Sequence, residues 1–302
     1  MQRRVRPPLF EAVPNFSEGR DKAKISRIVV AVRTVEGIRI LGLHSDADHN
    51  RSVLTLAGEE EPVLEAAVAL AEACAGEIDL ASQSGEHPRM GSLDVLPFVP
   101  LEGSTLEDAA RLARRAGERI GALGLPVYLY EAAASEPHRR NLADVRRGGY
   151  EGLAARIGDP RWHPDFGPRE LDPHRGAVAV GARPFLVAFN AYLDTGDVEV
   201  ARAVARRVRE SDGGLPGVKA LGLKVGGRAQ VSMNLTDLEK TPIPAALESV
   251  RTAAAGHGVS VQSTELVGLA PLEALLQTAR HYLKLRGLDR EHVLEAALWD
   301  TR

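Results

Sequence analysis

The sequence predicts an α/β (α+β) protein built of two ferredoxin-like βαββαβ subdomains, with apposed sheets and helices outside. Three observations carry this. The order strand, helix, strand, strand, helix, strand is spelled twice along the 302 residues. Helices on one face of each sheet leave two bare faces, and apposing them is the economical way to cover both, with the intervening cleft as the natural ligand site. The halves are separated by residues 131–180, rich in Pro, Gly, Arg and His, the kind of segment where domain boundaries fall. We place the N-terminal subdomain at 1–180 and the C-terminal subdomain at 181–302.

The elements follow in order. Residues 9–13 are a short apolar run, 21–35 have helical spacing at Ile25, Ile28, Val29 and Val32, and 38–43 are apolar again. Residues 51–57 alternate as a strand should, 61–75 read as an alanine-rich helix, 93–99 as a strand, 105–123 as a long helix, and 127–130 closes the set. In the second half the strand at 184–193 is followed by a helix at 198–210. A strand pair at 218–225 and 228–235, a helix at 243–255 and a strand at 259–266 complete the repeat. Residues 272–286 form a core-forming helix and 289–302 a short amphipathic tail. The connector holds Trp162 and Phe166, for which a plain linker has little use, so it is expected to fold over the cleft.

Composition narrows the function. The formal charge of −3 provides no basic field for a polyanion, and aromatics at 4% provide few stacking platforms, so nucleic acid is excluded as a partner. No stretch approaches the roughly 18 apolar residues that span a bilayer, and no apolar core of a leader follows the basic start, so no membrane partner and a cytoplasmic location are expected. The single cysteine, Cys74, sits in an apolar helical run and reads as a buried structural thiol.

Chemistry concentrates at 85–94, Gly-Glu-His-Pro-Arg-Met-Gly-Ser-Leu-Asp. An imidazole accepts and returns protons near neutrality, so His87 is the candidate general base. Pro88 biases His87 to an extended conformation and stiffens the loop. Glu86 is placed to orient the ring or to balance a cation, and Arg89 or Arg51 to bind carboxylates bidentately. Between the first strand and first helix, Asn15, Ser17 and Glu18 stand where helix N–H groups favour an anion, although capping by Ser17 or Asp21 explains the pattern too. The run His44-Ser45-Asp46-Ala47-Asp48-His49-Asn50-Arg51 tempts a metal reading; we read it as a turn-like loop touching substrate, with no metal. His138, His257, His281 and His292 read as surface or helix-packing residues, while His163 and His174 suit either a ligand contact or a plain loop. No nucleophile elbow, dinucleotide fingerprint or P-loop is present.

From about Phe10 to Gly287 the chain resembles the formiminotransferase family of histidine degradation. The resemblance rests on 13–19 (Val-Pro-Asn-Phe-Ser-Glu-Gly), Asn50-Arg51, 85–91, 126–130 and Asp165-Phe166-Gly167-Pro168. Further matches are Gly176-Ala177, Gly181-Ala182-Arg183, Ala188-Phe189-Asn190, Gln230-Val231-Ser232 and 265–269. It implies two similar α/β subdomains holding folate between their sheets, and transfer of a formimino group from N-formimino-L-glutamate to N5 of tetrahydrofolate as co-substrate. It implies His87 as the catalytic histidine. It also implies a folate-contact segment at Gly167, Pro168, Arg169, Glu170, Leu171, Asp172, Pro173, His174, Arg175 and Gly176. The chain departs from mammalian members at His44, where they carry an aspartate, and at Arg175, where they carry tryptophan. A cyclodeaminase would act downstream as a separate protein, and a homodimer is expected from the exposed edges of two small sheets. A folate-binding or regulatory protein of the same fold is the alternative.

Overall fold

The computed structural model describes residues 7–83 and 89–300. They fall into two compact units, Met1–Pro184 and Phe185–Arg302.

The first unit opens with β1 (Leu9–Ala12) and β2 (Asn15–Phe16), one path interrupted at Val13-Pro14. Proline has no N–H for the ladder, but its carbonyl still accepts from Leu54 N at 3.0 Å. In α1 (Lys22–Arg33), Asp21 caps by accepting from Ala23 and Lys24 N, and Ile25, Ile28, Val29 and Val32 form the buried stripe. A hairpin follows, β3 (Arg39–Asp46) and β4 (Arg51–Glu59), then α2 (Glu60–Glu77), β5 (Leu93–Pro100), α3 (Leu106–Ala122) and β6 (Val127–Glu131). Thr105 and Asp108 close a capping box on α3.

Two short helices, α4 (Leu142–Val145) and α5 (Gly149–Ile157), lie in the connector, which ends in β7 (Val178–Ala182). The seven strands form one mixed sheet in the order β3-β4-(β1, β2)-β5-β7-β6; the pairings of β7 are parallel and the others antiparallel.

Alternation sorts its side chains. Val127, Leu129, Val178 and Val180 join α1, α2 and α3 in the main core, while Tyr128, Tyr130 and Ala179 pack with Val145 and Leu153 of the connector helices. Cys74 is wholly buried in the main core, and burial pushes its thiol pKa up, so it is unreactive.

The second unit runs β8 (Val187–Leu193), α6 (Val198–Val208), β9 (Val218–Val225), β10 (Arg228–Leu235), α7 (Ile243–Ala255), β11 (Val261–Val267), α8 (Leu272–Leu283) and α9 (Leu294–Asp300). Its sheet is antiparallel in the order β11-β8-β10-β9. Gly226 and Gly227, both at positive φ, make the tight turn between β9 and β10. Val187, Phe189, Ala191 and Leu193 alternate into a core shared with α6 and α7.

Four differences from the sequence reading have physical causes. Residues 178–182 are a strand, so a boundary at 180 would cut β7, and the compact units divide after Pro184. The connector packs within the first unit: Phe166 lies against Gly117 and Gly121 of α3, where a Cβ at Gly121 would come within 2.7 Å of Phe166 Cβ. The helices of this unit are therefore not confined to one face, since α4 and α5 cover part of the other. His44 and Asp46 belong to β3, and only 47–50 turn, with Asn50 at φ 48°.

Candidate active site

Three segments converge at one end of the first sheet: 15–20 after β1, the tip of the β3–β4 hairpin, and the chain on either side of 84–88. His87 and Glu86, the expected base and its neighbour, lie outside the described residues, as does Pro88. Their flanks are described, and both are tied down.

On the early side, Gln83 Nε2 donates to Glu18 Oε2 at 3.0 Å, and Asn50 Nδ2 donates to Gln83 Oε1. Glu18 Oε1 accepts from the backbone N–H groups of Arg20 and Asp21, each at 2.9 Å, and Gly19 N donates to Asn50 Oδ1 at 2.9 Å. Glu18 and Asn50 are buried, and these bonds join one another's segments. Gly19 has to be glycine, because a Cβ there would stand 2.0 Å from Asp46 O. Ser17 Oγ donates to Gly91 O at 2.8 Å, fastening this loop to the chain after the histidine motif.

On the later side, Arg89 Nη2 donates to Gln83 O at 2.8 Å, which ties the two ends of 84–88 together. Its guanidinium also lies 5.5 Å from the Tyr150 ring centroid and 3.5 Å from Glu151 Oε1. Met90 N donates to Asp94 Oδ1 at 2.9 Å. Asp94 is wholly buried on β5, and its other oxygen, Oδ2, accepts from Arg51 Nη1 and from Arg146 Nη2, the latter at 2.8 Å. Arg51 Nε completes the arrangement by donating to Asn15 Oδ1 at 3.1 Å.

The expected folate segment divides. Residues 172–176 run beside 89–92: Ser92 N donates to Arg175 O and Ala177 N to Met90 O, each at 2.9 Å, and Gly91 bridges Gly176. Leu171 packs against the cluster holding Met90. Gly167 is held beside the start of β6, so close to Leu125 that a Cβ would stand 2.2 Å from its carbonyl oxygen. His174 pairs with Asp79 at 2.8 Å, which holds its imidazole pKa above the ordinary value. His44 is exposed on the edge strand; its partner Val53 pairs in turn with Asn15, so the three share one face of the sheet.

Gln83, Asp94 and Arg146 escape the sequence reading. Asp94 carries the only usable signal: a carboxylate inside the apolar run of β5 needs partners. A second polar group lies in the other unit, on the sheet face opposite its helices. There Glu265 Oε2 accepts from Tyr192 Oη at 3.1 Å and Asn190 Nδ2 at 3.3 Å, with the Arg228 guanidinium 4.4 Å above the Tyr192 ring.

Tyr128 and Glu11 are among the buried ionisable groups that are perturbed. The Tyr128 hydroxyl has no partner among the described residues, and burial pushes its pKa up to about 12. Glu11 is buried on β1; desolvation raises its pKa, and Arg183 only partly opposes this. A carboxyl raised on folding adds stability that is full below its unfolded pKa and is lost as pH rises through the folded value. Glu11→Gln is therefore expected to raise Tm more at about pH 8 than at about pH 4. Thermal melts at both values check this, and equal shifts would refute it.

Residues 9–183 match the family model described as the N-terminal subdomain of the formiminotransferase domain, and 188–296 match that of the formiminotransferase domain. The chain belongs to the formiminotransferase family. It is 45% identical to the glutamate formimidoyltransferase of Thermoplasma acidophilum, covering 95% of this chain and 96% of that one. It is 41% identical to the glutamate formimidoyltransferase of Streptococcus pyogenes serotype M1, with 95% and 97% covered. To the formimidoyltransferase-cyclodeaminase of Mus musculus it is 40% identical, and there the match spans 94% of this chain but 54% of the longer protein.

Proposed function

We propose that this chain transfers the formimino group of N-formimino-L-glutamate to N5 of tetrahydrofolate, giving 5-formiminotetrahydrofolate and L-glutamate. The observation that carries the reading is identity above 40% with two glutamate formimidoyltransferases over nearly their whole length. It is a folate-dependent, one-carbon group transfer of histidine catabolism. The finer fold reading is two ferredoxin-like βαββαβ subdomains, the first extended by β6 and β7, and their element order and strand order support it.

The chemistry asks for proton traffic. The amidine carbon is cationic at neutral pH, and attack by N5 gives a tetrahedral carbon bearing three nitrogens and a hydrogen, so no oxyanion needs stabilising. His87 removes the N5 proton and returns a proton to the departing glutamate nitrogen. Glu86 orients the imidazole. Arg51, Arg89 and Asn15 meet the carboxylates of the reactants. Ser17, Glu18 and Asn50 hold the loops that present these groups, as their hydrogen bonds suggest. Residues 167–176 contact the folate, and His44 borders the same sheet face. Fixing both reactants makes the attack effectively intramolecular.

The test is to incubate the purified protein with formiminoglutamate and tetrahydrofolate and follow the methenyl chromophore formed from the product in acid. Product that requires both substrates is the expected result. Folate binding without product would point to a folate-binding protein of the same fold.

A further inference from the structure

The connector helix α5 packs against both chain segments that the transferase reading gives to the substrates. Its Leu153 lies in the buried cluster with Met90 of the histidine motif and Ala177, and Leu171 of the folate-contact segment packs against the same cluster. Two glycines at positive φ, Gly148 at 84° and Gly149 at 59°, begin the helix. A Cβ at Gly149 would stand 3.4 Å from Arg89 O, so the chain enters α5 in contact with the motif. The next two residues are Tyr150 and Glu151, and both reach Arg89.

Tyr150 is engaged at both ends of its side chain. Its Oη donates to Pro173 O at 2.8 Å. Its ring centroid lies 5.5 Å from the Arg89 guanidinium carbon, while Glu151 Oε1 stands 3.5 Å from Arg89 Nη2. Residues 174–177 are fastened by backbone bonds, His174 O and Arg175 O accepting from Leu80 N and Ser92 N and Ala177 N donating to Met90 O. Pro173 has no N–H to give, and the Tyr150 hydroxyl holds its carbonyl. A tyrosine has two side-chain torsions, so fixing one end of it fixes the other. A carboxylate that immobilises Arg89 therefore orders the Tyr150 ring as well, and the folate-contact segment then meets a hydroxyl already in place. Coupling of this kind is reciprocal.

We infer that Tyr150 is a positioning residue for both reactants, setting the folate-contact segment through its hydroxyl and Arg89 through its ring, so that the formimino donor and tetrahydrofolate strengthen each other's binding. The inference rests on the transferase reading above and deepens it. Tyr150 acts through Pro173 and Arg89 and takes no part in the proton transfers.

The experiment measures the Kd of tetrahydrofolate for the full chain with and without saturating L-glutamate, which carries both carboxylates of the donor but no formimino group, so that nothing turns over. Glutamate should tighten tetrahydrofolate by about fivefold or more in the unaltered protein. In Tyr150→Phe, which keeps the ring and loses the hydroxyl, that ratio should fall to within about twofold of unity while the Kd of glutamate alone stays within about twofold. Tyr150→Leu loses the ring too, and should in addition weaken glutamate alone by about two- to fivefold. A ratio in Tyr150→Phe equal to that of the parent would overturn the inference. So would a Tyr150→Phe protein that melts far below the parent with both affinities lowered together, since Tyr150 would then be a plain structural residue. A parent that turns over formiminoglutamate but shows no coupling would overturn this inference alone. A parent that makes no product from formiminoglutamate and tetrahydrofolate would overturn the transferase reading, and this inference with it.

Discussion

His87→Ala is expected to lower kcat by about 10^2- to 10^4-fold, the span of a positioned general acid–base, while affinity for tetrahydrofolate stays within a few-fold. The imidazole is asked to take one proton from N5 and give one to the leaving nitrogen, so its loss removes both transfers and no binding contact. Stability should hardly change. The flanks of its segment are tied by bonds that do not involve it: Gln83 to Glu18 and Asn50, Arg89 to Gln83 O, and Met90 to Asp94. Steady-state kinetics, folate titration and a thermal melt on the one variant check the set. Lost folate affinity with turnover retained would contradict the base role, and a large fall in Tm would make the ring a structural lock.

Asp94→Ala is expected to cost about 3–5 kcal/mol of stability, because it removes the carboxylate that the largely buried Arg51 and Arg146 share and the acceptor of Met90 N. For a unit of this size that corresponds to a fall in Tm of roughly 10 °C. Asp94→Asn should cost less, since the amide oxygen still accepts one donor while the charge is gone. Melts of both variants decide. If Asp94→Ala were within about 1 kcal/mol of the parent, water would be compensating the arginines, and the cluster would be less desolvated than its burial indicates.

Legibility from sequence followed the reach of each signal. Where apolar periodicity was clean the bounds are unchanged, as in β9, β10 and α7. The helix expected to 286 stops at Leu283, where Lys284 takes a left-handed conformation. β7 is five residues, Val-Ala-Val-Gly-Ala, in a stretch otherwise full of helix and strand breakers, and a run so short is ambiguous without knowing that a gap between β5 and β6 awaits it. In the site, Asn15, Ser17, Glu18, Asn50, Arg51 and Arg89 are readable because they lie in short polar loops beside strand ends. Gln83 and Arg146 are not, because an amide and a guanidinium in polar surroundings look like any solvated side chain until the chain brings them to Glu18 and Asp94.

The place of β7 bears on how the first unit is made. β5 and β6 are not neighbours; the strand between them is supplied by residues 178–182, the last of the unit. Until those residues leave the ribosome, β5 keeps an open edge and β6 has no sheet to join, although α3 between them can already form. Parallel pairing of this kind is non-local and slow, and it leaves hydrophobic edges exposed while it waits. Assembly of the first unit is thus gated by its final strand, and the connector must be synthesised before the sheet can close.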